Sequence, residues 1–159
     1  DVPVYTATGL TPGTHTVTVT KLSGQYATLD GFGITMPTAT RVNDTDAAIS
    51  YSGYTLNSAR GVGDFADDVH YATANGATAR YSFTGSFVLV YGELNTDQGD
   101  IGVAIDGGPQ QTVSSLSSDG ARHTDTPVFT AAGLAAGSHT VVITKLSGQY
   151  STLDGFGTP

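Results

Sequence analysis

Cysteine and tryptophan are absent from the 159 residues, lysine occurs only at 21 and 145, and Glu93 is the single glutamate. Each absence excludes something. Without cysteine no disulfide staples the fold, whatever the redox compartment. Six Lys and Arg face fourteen Asp and Glu, a formal net charge of −8. That leaves no basic patch to neutralise a phosphate backbone, so nucleic acid is excluded as a partner. No apolar run approaches the ~18–20 residues of a membrane helix, so no membrane insertion is expected. No Gly-x-Ser-x-Gly elbow occurs, and nothing marks a carboxylate pair held across a cleft, as glycoside hydrolysis requires. The chain therefore reads as non-enzymatic.

What is present is glycine (21 residues), with many Thr, Ser and Ala and only 13% charged residues. Apolar positions alternate along much of the chain, the signature of half-buried strands. In Thr14–Thr20 the alternation sets His15, Val17, Val19 and Lys21 on one face and threonines on the other. Residues 1–33 return almost unchanged as 125–157, at an offset of 124, differing at 9 of 33 aligned positions. A fixed period of domain size reads as a window on a tandem array. Two differences carry information: Thr18 becomes Val142 and Val19 becomes Ile143. Copy two is more apolar on both faces and is expected to be the better buried.

The copied segment encodes a strand, a turn, a long strand, a second turn at Leu22–Gln25 and a closing strand over Tyr26–Phe32. Copy two, Val128–Phe156, encodes the same unit. Residues 35–40 read as a linker between residues 1–34 and a complete repeat over residues 41–159. Within that repeat, strands are expected near Ala47–Tyr51, Val69–Ala72, Ala77–Thr84, Ser86–Gly92, Ile101–Ile105 and Gln111–Ser115. Asn75-Gly76, Thr84-Gly85 and Asp106–Gly108 have the residues of hairpin turns. Gly53–Asp68 and Asn95–Asp100 read as loops. The expected fold is all-β, an antiparallel sandwich close to a jelly roll, with an extra N-terminal strand-turn-strand segment.

Several motifs resemble the galactose-binding-like jelly-roll modules repeated in secreted bacterial proteins, often beside glycoside hydrolases. They are Val42–Asp46 with Ile49–Gly53, Ala79–Gly85 with Val88–Gly92, Val103–Gly107, Gly133-Leu134 with Gly137–Val141, and Leu153–Phe156. Together they span most of one period in order. The resemblance implies carbohydrate binding or a spacer role, and an extracellular or cell-surface location. Where many relatives carry Trp after the Tyr-Ser-Gly motif, this chain has Tyr54. In such folds a structural calcium often sits where the first strand meets the last, which here implicates Asp44, Asp46 and Asp154. The alternative is that these are turn residues bonding their own backbone. No cofactor is otherwise required.

Sugar binding calls for aromatic rings and hydrogen-bonding side chains at strand ends. Tyr54, Arg60, Tyr91 and His123 are the candidates. Assembly is the competing reading. One sandwich has one slot for its closing strands, and the chain carries two copies of them. The spare copy is expected to dock along the edge of another repeat through Leu10, Val17, Val19, Tyr26 and Phe32, with copies of itself or adjacent repeats as partners. The sequence thus favours a structural repeat that builds a fibre, stalk or surface array. The alternative is a carbohydrate-binding module attached to a secreted glycoside hydrolase or adhesin, with glycans as partners.

Overall fold

A computed structural model describes residues 4, 5, 7, 16–32 and 38–159. Nine strands form within the second part: β1 (Thr40–Asn43), β2 (Ile49–Ser52), β3 (Thr55–Ser58), β4 (Asp68–Ala72), β5 (Thr78–Leu94), β6 (Asp100–Ile105), β7 (Gln111–Ser114), β8 (His123–Lys145) and β9 (Ser151–Thr158). One 3-10 turn, Phe65–Asp67, interrupts them, and no helix among the described residues is long and apolar enough to cross a membrane. All pairings between named strands are antiparallel.

The two long strands explain how one hydrogen-bonded sheet becomes a sandwich. The first half of β5 pairs with β2 and with the second half of β8, which continues to β6 and β7. The second half of β5 pairs with the first half of β8 and with β9, which in turn pairs with β4 and β1. Both strands bend where Gly85 faces Gly137. A side chain at Gly85 would press into the Pro159 ring, 2.5 Å from its Cγ, so glycine is needed there.

Alternation then fills the space between the layers. Ala79, Tyr81 and Phe83 of β5 are buried while Arg80, Ser82 and Thr84 are exposed. From β8 come Val141 and Ile143, from β6 Ile101 and Val103, and from β9 Leu153 and Phe156. Tyr81 and Phe156 stack across the two layers, ring centroids 4.7 Å apart. Each such side chain contributes roughly 1.5–3 kcal/mol on burial.

Five expectations need correction. Thr84-Gly85 is a bend inside one continuous strand, because β5 serves both layers. Gly133–Gly137, which includes the copy-two counterpart of the turn expected at residues 10–13, is a bulge: the register slips from Ala132 opposite Phe87 to Gly137 opposite Gly85, so β8 also runs on unbroken. The stretch Gly53–Asp68 contains β3, which pairs with β4, and β1 takes in Thr40, the last residue of the expected linker.

The fifth concerns copy one. Residues 16–32 form no strand, and Val17, Val19 and Phe32 are 56%, 62% and 65% exposed. Their counterparts Val141, Ile143 and Phe156 are at 0%, 1% and 0%. Copy two holds the slot, and a hairpin without a third strand has no face on which to bury its apolar row. Leu10 lies outside the described residues.

Candidate functional site

One end of the β3-β4-β9-β5 layer carries a cleft of about 500 Å³. Asn57 and Ser58 of β3, Val69 and Tyr71 of β4, Thr152 of β9 and Glu93 of β5 line it. Loops bring Arg60, Asp97, Gln98, Arg122 and Tyr150. Period-2 spacing puts Val69 with Tyr71 on one face of β4, while His70 turns to the other. There His70 stacks on Tyr51, centroids 3.9 Å apart, and its Nδ1 meets Asp44 Oδ2 at 2.6 Å.

Glu93 organises the cleft. It is buried, and both of its carboxylate oxygens are engaged by donors. Arg60 Nη2 donates to Oε2 at 2.6 Å, while Arg122 Nε lies 3.2 Å from Oε1 and Asn95 Nδ2 donates to Oε1 at 3.1 Å. Gln98 Nε2 donates to Thr152 Oγ1 at 3.0 Å, so its amide is anchored to β9. Arg60 Nε also lies 3.4 Å from buried Asp64, whose carboxyl burial pushes above the usual range against the pull of that guanidinium. Two rings complete the wall: Tyr71 and Tyr150 meet edge to face at 70°, centroids 6.0 Å apart. Two arginines and two carboxylates, Glu93 and Asp97, leave the lining without net charge.

The Asp154 region lies further along β9. The Arg41 guanidinium lies 3.6 Å from the Tyr91 ring centroid and 4.6 Å from that of Phe65, paired with Asp125 and 3.9 Å from Asp154. Asp154 accepts the backbone N–H of Phe65 at 3.2 Å. Burial pushes its carboxyl up to about 7, against the pull of the Phe65 N–H and Arg41. Gly155 follows it because a Cβ there would collide with the Val42 carbonyl oxygen. The Asp-Gly pair thus seats β1 on β9.

Of the four residues singled out for sugar contact, the structure puts Arg60 in the cleft. Tyr54 is half-buried against the core with its hydroxyl 2.9 Å from Ser151 Oγ. Tyr91 lies under Arg41, and His123 is paired with Asp119 on the surface. Tyr71, Tyr150, Arg122, Asn57 and Gln98 were not among the candidates. Tyr150 had a visible signal, its position beside the Ser-Gly-Gln turn before the closing strand. The others are brought in by pairing across sequence distances that no local pattern reveals.

The residues implicated in calcium do not converge. Asp44 engages His70, Asp46 Oδ1 accepts the Ala48 N–H at 2.8 Å as an Asx turn, and Asp154 engages Phe65. Among the described residues no group of three His, Asp or Glu is arranged to hold a metal ion.

No protein-family model matches the chain, and no curated protein does. Solved structures do match in fold. A family 35 carbohydrate binding module from Clostridium thermocellum superposes with a TM-score of 0.55 at 14% identity, over 74% of this chain and 96% of that one. The fold is an antiparallel β-sandwich of the jelly-roll kind, shared with that module. A GH26-CBM35 β-(1,4)-mannanase from Podospora anserina matches the jelly-roll module with a TM-score of 0.51 at 17% identity, over 77% of this chain and 28% of the enzyme. An exo-β-1,3-galactanase from Phanerochaete chrysosporium, crystallised with β-1,3-galactotriose, gives 0.54 at 17%, over 77% and 30%. The jelly-roll module therefore spans under a third of either enzyme.

Proposed function

We propose that this jelly roll is a non-catalytic carbohydrate-binding module, acting outside the cell as an appendage to a carbohydrate-active protein, and that the Tyr71–Tyr150 cleft takes an uncharged oligosaccharide. The observation that carries this reading is the cleft's composition. Two tyrosine rings set at 70° stand beside two arginines and the amides of Asn57 and Gln98. Pyranose rings pack on aromatic faces, and their hydroxyls bond guanidinium and amide groups. The lining is neutral, which favours a neutral glycan over a uronate.

Glu93 serves in this reading as a positioning residue. With donors on both oxygens it fixes the two arginines and is not free to act as an acid or base. The likeness in fold to a carbohydrate binding module supports the same view. The fibre or array expected from the repeat has no comparable support.

Isothermal titration with mannan-, galactan- and glucan-derived oligosaccharides is the test. Binding of one of them, lost in Tyr71→Ala and Arg122→Ala, is expected. Absence of binding to all three at millimolar ligand overturns the proposal.

A further inference from the structure

Copy one and copy two are close enough in sequence to compete for the same place in the sandwich. We propose that residues 16–32 are an alternative set of closing strands for this chain's own jelly roll, able to displace the second half of β8 and β9 and pair in their register. The slot is the one that β5, β6, β4 and β1 present; the occupant is copy one of the same chain.

Three observations carry this. First, residues 16–32 match 140–156 except at 18, 19 and 27. Every side chain that copy two buries, Ser151 excepted, has a counterpart of the same class: Val17 for Val141, Val19 for Ile143, Lys21 for Lys145, Leu29 for Leu153, Asp30 for Asp154 and Phe32 for Phe156.

Second, the turn is already formed. Ser23–Gln25 bends as Ser147–Gln149 does, with Gly24 at φ 81° and Gly148 at φ 74°. In both copies the glutamine Nε2 donates to the next tyrosine's hydroxyl, at 3.3 Å in one and 3.2 Å in the other. Thr16–Lys21 and Ala27–Leu29 line a common hollow, so the two arms already flank each other. Only the ladders to a neighbouring sheet are missing.

Third, the connection fits. Thr158 at the end of β9 pairs with Thr40 at the start of β1. By the sequence offset of 124, position 34 corresponds to Thr158, so five residues separate that position from Thr40. Five residues are an ordinary hairpin loop. Tethering this short gives copy one a high effective concentration at the slot, so exchange within one chain is favoured over exchange between chains.

The three differences explain why copy two holds the slot. Val19 is a methylene smaller than fully buried Ile143, and Thr18 brings a hydroxyl to the half-buried site of Val142. Ala27 removes the Ser151 hydroxyl that meets Tyr54. The proposal makes the module a two-state closure in which the losing segment stays exposed. In an array of such repeats, each copied segment is able to close the module before it or the module after it.

The test uses the full chain, refolded from denaturant and followed by hydrogen exchange and light scattering. In Ile143→Asp, amides of 16–32 are expected to become protected at least 100-fold, those of 140–156 to lose protection, and a monomer with a cooperative melt to persist. Adding Val19→Asp is expected to abolish the melt. A second variant disables nothing: Thr18→Val, Val19→Ile and Ala27→Ser together make the copies alike, and both segments should then show partial protection. Segment 16–32 remaining unprotected in both variants overturns the proposal. Protection appearing only in a dimer overturns exchange within one chain.

Discussion

Residues 16–32 and 140–156 are two regions of one molecule with nearly one sequence and opposite environments. The threonines and valines of the first face solvent with no ladder partner; those of the second sit between β5 and β6. Lys21 is exposed, whereas Lys145 is fully buried and its ammonium donates to Asn75 Oδ1 and to the carbonyls of Ser147 and Gly148 at 2.8–2.9 Å. The turn, by contrast, is the same in both. Local chemistry therefore sets the bend, whereas strand formation waits for a neighbour.

The comparison is sharpened by making the same substitution in each copy. For copy two the measurements belong in a Val19→Asp background, where the spare copy cannot refill the slot. Phe156→Ala is expected to cost about 3–5 kcal/mol in denaturant unfolding, because it empties the stack on Tyr81. Phe32→Ala in the parent chain should stay within about 0.5 kcal/mol. Equal costs would show that copy one is packed in solution. Lys145→Ala comes next, at roughly 2–4 kcal/mol, since it strands two carbonyls and the Asn75 amide oxygen. Lys21→Ala should change nothing.

Asp154 and Asp30 form the third pair. With its carboxyl raised to about 7, Asp154 keeps its proton in the fold under conditions where the unfolded chain has released it. The folded state is thus favoured below about pH 4, and this contribution is lost as pH rises to about 7. Asp154→Asn should flatten that decline, by up to about 4 kcal/mol between pH 4 and 8, as read from urea midpoints. Asp30→Asn, at an exposed position, should change stability by no more than about 0.5 kcal/mol. The smallest effect is on binding. Tyr150→Ala should weaken glycan affinity about tenfold, ~1.4 kcal/mol, and Tyr26→Ala should not alter it, although both tyrosines follow the same turn.

Strand alternation alone makes most of the sandwich legible. His139, Val141, Ile143 and Lys145 read as an inward row, and the last three are fully or almost fully buried. The bends at Gly85 and Gly133–Gly137 are not legible in this way, because a glycine that turns a chain and a glycine that bends a strand look alike in sequence. Only the pairing of β5 with β8 across both layers distinguishes them. The cleft is less legible still. Arg60 carries a signal, but Glu93 and Tyr71 meet through β4-β9-β5 pairing, which joins residues up to 83 positions apart, and Arg122 reaches Glu93 through the pairing of β5 with β8. Sugar-site candidates chosen one at a time cannot anticipate such a meeting.

The rung joining Thr40 to Thr158 has a mechanical meaning. Tension applied through the flanks of the module enters at these two residues, at one end of the β1–β9 ladder. An antiparallel ladder pulled from one end opens bond by bond like a zipper, never sharing the load across the row as a sheared pair does. A string of such units would yield at low force and lengthen in steps, behaving as a shock absorber more than as a rigid rod.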